Sequence, residues 1–203
     1  YTSDTAPKDI LRVKVVRSTV PHALIRRIDT QAAKEIPGVT AVLTANEIPG
    51  INESYALLPD RPLLATTKVR CHGEAIAVVA ADDYITAEEA ADKVSVQYER
   101  LPTVTSPIEA MKPDSALVQD KGNIAKYLRV RKGDVKEGFR QADVVIENTY
   151  KTQFQDPVPM EPEVGMAWIE KDGTVTCVGS MQTPYYVQTG VAKVLGLNPD
   201  KVR

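Results

Sequence analysis

Residues that bind metal ions through sulfur or imidazole are scarce in this sequence, which contains only two cysteines and two histidines. Cys71 and Cys177 lie far apart and form no CxxC pair. Both sit in apolar, strand-like stretches, so we expect small reduced core residues, with a disulfide as the alternative. His22 and His72 have no helix-spaced partner and no nearby cysteine, which protein zinc sites require. We therefore predict no metal site built from these side chains.

Long apolar runs and basic clusters are also missing. No run approaches the roughly 20 apolar residues needed to cross a bilayer, and the residues after Tyr1 lack the regions of a secretory signal. The chain has 25 Lys and Arg against 27 Asp and Glu, a net charge of −2. Its densest basic group, Arg129, Arg131 and Lys132, is too small to follow a phosphate backbone. We expect a cytoplasmic protein that binds neither nucleic acid nor membrane, and, because it does not start with Met, one that continues upstream.

Familiar catalytic motifs are absent as well. The sequence has no GxGxxG, Walker A, GxSxG or HExxH pattern, which removes the main support for nucleotide-binding, serine-hydrolase and zincin functions. Glu161 and Glu163 would share one face of a strand and could form an acid–base pair. We favour the alternative that they cap the strand entry or face solvent. No residue is predicted to be catalytic.

The first hundred residues predict a small mixed α/β domain. Alternating or continuous apolar patterns indicate strands at residues 11–15, 39–44, 75–80 and 94–98. Thr30 is a candidate N-cap for a helix ending at Ile36, and Thr86 for a helix from Ala87 to Lys93. Strand, helix and strand over residues 75–98 favour a right-handed crossover with parallel pairing. Residues 46–61 have no period and predict a surface loop.

The second half begins with a proline-containing linker at residues 101–123. Asp134 is the predicted cap of a short helix, and residues 144–154 have a strand pattern. Strands at residues 163–169 and 174–179 flank Gly173, which is typical of a hairpin. Thr183 and Pro184 begin a final helix that Gly196 ends, and Val202-Arg203 would be the first step of another strand.

Gln182 stands at the junction between the hairpin and the final helix. Its amide offers two donors and one acceptor and does not titrate, so it can orient or polarise a ligand without exchanging a proton. The alternative is that it satisfies local backbone groups before the helix. Spacing by itself favours that local role.

Several blocks, in order, are similar to the molybdenum-cofactor subunit of the xanthine dehydrogenase and aldehyde oxidase family, the molybdenum hydroxylases. The blocks are Arg17-Ser18, His22-Ala23, Ile25, Ile28-Asp29, Pro37-Gly38-Val39, Ala41-Val42-Leu43-Thr44-Ala45, Lys68-Val69-Arg70, Gly73-Glu74, Ala77-Val78-Val79-Ala80, Tyr98-Glu99, Leu101-Pro102, Gly133-Asp134-Val135, Ala142-Asp143-Val144-Val145, Met160-Glu161-Pro162 and Gln182-Thr183-Pro184. Each block is weak alone, but together they cover essentially the whole chain.

The resemblance implies a mixed α/β, or α+β, architecture in two parts. Residues 1–104 would form an α/β hammerhead domain, residues 105–128 a linker, and residues 129–203 the beginning of an incomplete molybdopterin-binding α+β domain. It further implies that the family's glutamate base and glycine-rich pterin segment have their counterparts beyond Arg203. By this interpretation the chain is an N-terminal fragment that is inactive alone.

The resemblance also implies a reaction and a role for Gln182. Members of the family hydroxylate an N-heterocycle or aldehyde with oxygen from water at a molybdenum–molybdopterin centre. Electrons then leave through iron–sulfur clusters, usually to FAD, on partner domains or subunits. Gln182 matches the family glutamine that hydrogen-bonds an oxygen ligand of molybdenum, which makes it our one predicted cofactor-binding residue. A departure is Pro157, where many relatives carry histidine, so the pocket edge is expected to differ there.

Two alternatives from other classes remain. The chain could be a non-catalytic scaffold that docks an iron–sulfur partner, or one half of a split molybdenum subunit whose remainder is a separate chain.

Overall fold

The computed structural model describes residues 1–53 and 60–203. Its eight strands in these ranges are β1 (Arg12–Arg17), β2 (Ala23–Asp29), β3 (Val39–Thr44), β4 (Lys68–Val69), β5 (Ala75–Ala81), β6 (Ser95–Arg100), β7 (Gly165–Ile169) and β8 (Val175–Gly179). The α-helices there are α1 (Gln31–Lys34), α2 (Tyr84–Lys93), α3 (Pro107–Ala110), α4 (Val135–Gln141) and α5 (Pro184–Leu195). The mixed α/β class is confirmed. Residues 54–59 of the predicted 46–61 loop lie outside the described residues.

Strand β5 organises the first unit. It is the central strand of an antiparallel sheet of order β1-β5-β3, beside a second antiparallel sheet of order β4-β2-β6. Successive side chains of a strand point to opposite faces, so Ile76 and Val79 leave β5 on opposite sides. Both are fully buried, Ile76 in a cluster with Val20 and Val69, and Val79 in a cluster with α1 and α2 residues. The prediction that this strand is covered on both faces is confirmed.

The predicted parallel crossover between residues 75–80 and 94–98 is wrong. Strand β6 pairs antiparallel with β2 in the other sheet. The sequence pattern missed β2 because a register shift between Ile25 and Arg27 breaks its alternation. A bulge of this kind adds a residue to one strand and disturbs the period of two. The two charged residues Arg26 and Arg27 then stand where an apolar position was expected.

The two predicted helix starts have different outcomes. Helix α2 begins earlier, because Asp83 is its N-cap and accepts from the backbone N–H and the hydroxyl of Thr86 at 2.9 and 2.8 Å. Thr86 is therefore a donor inside the first turn rather than the cap. Helix α1 begins after Thr30, the predicted N-cap, but it ends at Lys34 rather than Ile36. The Thr30 side chain makes no cap bond, and Asp29 Oδ1 accepts from Gln31 N–H instead.

The two cysteines have different surroundings. Cys71 is exposed in a turn, so its prediction as a core residue is wrong, whereas Cys177 is half-buried in β8. Both are free thiols. Burial raises the pKa of the Cys177 thiol, which disfavours its thiolate.

In the second half, the predicted short helix is confirmed and the predicted strand at residues 144–154 is wrong. Helix α4 is capped as expected, with Asp134 Oδ1 accepting from Lys136 and Glu137 N–H groups. Residues 144–154 form no strand within the part of the chain that is described, and the apolar side chains there are exposed. An alternating pattern becomes a strand only when another strand pairs with it. None of the described residues does so here.

The predicted hairpin and final helix are confirmed. Strands β7 and β8 pair antiparallel, and Gly173 in the turn has φ +82°. Helix α5 begins with Pro184 and ends at Gly196, whose φ is +67°. The chain then returns to β8, where Val202 forms a parallel bridge with Val175.

Candidate functional site

Gln182 lies in the short connection between β8 and α5. Its side chain is exposed and has no hydrogen-bond partner among residues 1–53 and 60–203. The neighbouring N-cap, Thr183, also makes no side-chain cap bond. Gln182 therefore does not satisfy the backbone groups before the helix, which was the alternative role predicted for it. Its amide is available to a ligand.

The turn that presents Gln182 depends on a close approach between strands. A Cβ placed on Gly179 would lie 2.9 Å from the carbonyl oxygen of Val164. Real Cβ atoms essentially never show such a contact, so only glycine permits this spacing. The end of β8 is thereby held against the start of β7, and the chain leaves the hairpin toward Gln182.

The surface beside the amide carries apolar and aromatic side chains. Met181, Tyr185 and Tyr186 are all exposed around the start of α5, and Tyr185 is 81% exposed. Pro184 at the first helical position has no N–H to satisfy. A polar amide within an apolar rim at a helix start suits contact with a large, partly polar ligand.

The glutamate pair does not form an acid–base site. Glu161 accepts hydrogen bonds from the backbone N–H and the hydroxyl of Thr2, both at 2.9 Å. These bonds, the backbone one first, lower the pKa of Glu161 and keep it a carboxylate. Glu163 is exposed before β7 begins. The solvent alternative describes Glu163, whereas Glu161 accepts from Thr2 rather than capping the strand entry, and the sequence offered no signal for Thr2 as the partner.

The segment around Pro157 contains a strained residue. Val158 has φ +48° between Pro157 and Pro159, and its N–H donates to Asp156 Oδ1 at 3.0 Å. A positive φ is a genuine outlier for a β-branched residue. The local bond from Asp156 holds the segment in this conformation.

The histidines take no part in this site. His22 is buried in the first unit, where its Nδ1 lies 2.7 Å from the carbonyl oxygen of Pro102. Among the described residues, no cluster of three His, Cys, Asp or Glu side chains could hold a metal ion. In those same residues no helix has the length and apolarity to traverse a bilayer.

Two family models match the two halves of the chain. Residues 1–102 match the "Aldehyde oxidase and xanthine dehydrogenase, a/b hammerhead domain". Residues 117–203 match the "Molybdopterin cofactor-binding domain". The fold and these matches define the class, a protein that carries an α/β hammerhead domain followed by a molybdopterin cofactor-binding domain. More specifically, the chain belongs to the aldehyde oxidase and xanthine dehydrogenase family, as the sequence blocks predicted.

Curated relatives agree with this assignment. The chain is 38% identical, over its whole length, to the nicotinate dehydrogenase large molybdopterin subunit of Eubacterium barkeri, covering 48% of that protein. It is 34% identical, over 97% of its length, to the xanthine dehydrogenase molybdenum-binding subunit of Escherichia coli O157:H7, covering 28% of that protein. The chain thus spans less than half the length of these relatives.

Solved structures share the fold. The aldehyde oxidoreductase from Desulfovibrio gigas superposes with a TM-score of 0.87 at 30% identity, over 99% of this chain and 23% of that one. A copper- and molybdenum-containing carbon monoxide dehydrogenase gives a TM-score of 0.81 at 31% identity, over 98% of this chain and 28% of that one. Both parts of the chain therefore have counterparts in structures of the family.

Proposed function

We propose that this chain forms the hammerhead domain and one wall of the cofactor site in a molybdenum hydroxylase, and that Gln182 binds the cofactor. The observation that carries the proposal is the free, exposed amide of Gln182 at the start of α5, in a region that matches the molybdopterin-binding model. We place the domain boundaries at residues 1–104 and 129–203, with a linker between them.

The residues present fit such a cofactor. The side-chain amide of Gln182 would donate a hydrogen bond to a polar atom of the group without giving up a proton, which an ionisable donor could not guarantee. The exposed apolar side chains of Met181 and Tyr185 would line its less polar edge. When bound, the molybdenum–molybdopterin group supplies the two-electron oxidation of the substrate.

The proposed substrates are electron-poor N-heterocycles or aldehydes. The names of the relatives include nicotinate and xanthine dehydrogenases, and a structural neighbour is an aldehyde oxidoreductase. The proposed partners are iron–sulfur and FAD domains or subunits that accept the electrons, in a cytoplasmic enzyme.

A glutamine exchange tests the cofactor role. In the molybdenum enzyme that contains this chain, Gln182→Ala should lower molybdenum occupancy or turnover by about tenfold to hundredfold, the usual loss for a residue supporting a metal centre. Occupancy is measured by elemental analysis, and turnover by dye reduction with nicotinate, xanthine and an aldehyde.

The matched control is Gln97→Ala, because Gln97 is also exposed and lies on β6, in the first unit. It should leave occupancy and turnover unchanged. Full activity in Gln182→Ala would remove the cofactor role and favour the scaffold alternative.

A second experiment concerns the 203-residue chain alone. We propose that it does not turn over substrate, because the residues around Gln182 form a single open wall. Stoichiometric molybdenum or turnover in the purified chain would contradict this. Co-purification of a separate chain that restores activity would identify a split subunit.

A further inference from the structure

A loop of the first unit is bonded to the far end of α5. Gly50 N–H donates to the carbonyl oxygen of Val194 at 2.9 Å, and Ile51 N–H donates to that of Lys193 at 3.0 Å. The last four carbonyls of a helix have no donor within it. A loop that lies far earlier in the sequence therefore satisfies the Val194 carbonyl, and it is a second donor to the Lys193 carbonyl, which also accepts from Gly196 N–H. The side chains of Lys193 and Glu53 add an ion pair across the same contact.

The contact leaves no room for a side chain at position 50. A Cβ on Gly50 would lie 2.2 Å from the carbonyl oxygen of Lys193 and 2.6 Å from the backbone nitrogen of Gly196. Contacts below 3.0 Å essentially never occur for a Cβ, and here the obstructing atoms are backbone. Any larger residue must therefore move the helix end or break both hydrogen bonds.

The loop is also anchored to the core of the first unit. Asn52 Oδ1 accepts from Leu64 N–H at 3.0 Å, and Asn52 Nδ2 donates to the Leu64 carbonyl oxygen at 2.7 Å. Leu64 itself is only 5% exposed. Residues 49–53 therefore form a fixed connection between that core and the C-terminal end of α5.

We propose that Gly50 is a positioning residue for the cofactor site, because it sets the axial position of α5 and thereby of Gln182. Helix α5 has 12 residues, which corresponds to a rod of about 18 Å. A displacement at one end of such a rod is carried to the other, where Gln182 precedes the cap. The inference rests on the proposed role of Gln182.

The test compares Gly50→Ala with Gly138→Ala in the molybdenum enzyme. Gly138 is an exposed glycine of α4, and a Cβ there would have no atom within 4 Å, so alanine adds no contact. Gly50→Ala should lower kcat by about tenfold to hundredfold, since a displacement of about 1 Å at a reacting centre has this effect. It should also change the Mo(V) electron paramagnetic resonance spectrum. Gly138→Ala should do neither.

A double-mutant cycle identifies the route of the effect. If Gly50 acts through Gln182, adding Gly50→Ala to Gln182→Ala should lower kcat by less than about twofold further. The inference would be overturned if the two substitutions lowered kcat independently, so that the double variant showed the product of the two single effects. It would also be overturned if the Gly50→Ala enzyme had a normal kcat and a normal Mo(V) spectrum. Normal activity of Gln182→Ala alone would instead refute the proposed function, whatever Gly50→Ala does.

Hydrogen exchange provides a readout that needs no turnover, and Asn52→Ala provides a milder variant if Gly50→Ala does not fold. Asn52→Ala removes the anchor without adding volume. The amides of Gly50 and Ile51 should exchange about fivefold faster in it, as expected for the loss of a hydrogen bond. Unchanged exchange at these amides together with an unchanged Mo(V) spectrum would contradict a positioning role for the loop.

Discussion

Several carboxylates of this chain accept hydrogen bonds from backbone N–H groups close in the sequence. Glu47 accepts from Thr44, Asp83 from Thr86, and Asp172 from Thr174. In each case the backbone hydrogen bond is the main reason that the pKa of the acid is lowered. Such bonds favour the charged form. These acids are therefore turn and cap residues rather than proton donors near neutral pH.

Asp83 gives the first prediction at this scale. Its lowered pKa means that its contribution to stability is fully present above the ordinary pKa of aspartate and is lost as the pH falls through the folded-state value. Asp83→Ala should therefore lower the urea midpoint at neutral pH and have a smaller effect in strong acid, below the folded-state pKa.

Asp83→Asn is the matched control, because asparagine caps a helix nearly as well and does not titrate. Its urea midpoint at neutral pH should stay close to that of the unchanged protein. If Asp83→Ala lowered the urea midpoint equally at neutral pH and in strong acid, the carboxylate would not be the stabilising form of Asp83.

At the scale of elements, β5 joins the two cores of the first unit. Its neighbours in the sheet are β1 and β3, and its two faces contact different buried clusters. Small residues such as Ala77 and Ala81 are fully buried along it. A strand in this position is sensitive to a change in volume, because surrounding side chains collapse only in part around a cavity.

A pair of isoleucines tests this sensitivity. Ile76→Ala in β5 should lower the free energy of unfolding by about 2–5 kcal/mol, the usual cost of emptying a buried site. Ile85→Ala should have little effect, since Ile85 on α2 is 70% exposed whereas Ile76 is 0% exposed. Guanidinium unfolding followed by circular dichroism measures both. If Ile76→Ala lowered the free energy of unfolding as little as Ile85→Ala does, Ile76 would lie outside the core.

At the scale of the whole molecule, burial is uneven. Fourteen of the sixteen buried hydrophobic residues in the described ranges precede residue 103; the other two are Ala192 and Val202. Between them, residues 124–160 have no helix or strand except α4 and carry exposed apolar side chains, including Phe154. Segments with few buried contacts open at low free-energy cost.

Limited trypsin digestion tests this difference. We expect the first cuts at Arg129, Arg131 and Lys132, at least about tenfold faster than at Arg26 or Arg27. The side chains of Arg26 and Arg27 are 58% and 64% exposed, so slower cutting there reports the pairing of β2 rather than access to the side chain. Earlier cutting within β2 would contradict the assignment of the stable core to the first unit.

Features that depend on neighbours in the sequence were predictable from it. The turn at Gly173, the Asp134 cap, and the Pro184 and Gly196 limits of α5 each need only local conformations or bonds spanning a few residues. The order of the family blocks likewise predicted the hammerhead and molybdopterin-binding matches. The local position of Gln182 followed from the hairpin and helix patterns, and its cofactor role, which the family blocks implied, stays a prediction.

Other features were decided only by the tertiary structure. Three of them depend on residues that are distant along the chain. These are the pairing of β6 with β2, the hydrogen bonds between Thr2 and Glu161, and the contact of Gly50 with α5. Their free energy depends on how the units pack, which no local pattern records. For the same reason residues 144–154 form no strand despite their alternation. The sequence determined which segments could form elements, while packing determined which found partners.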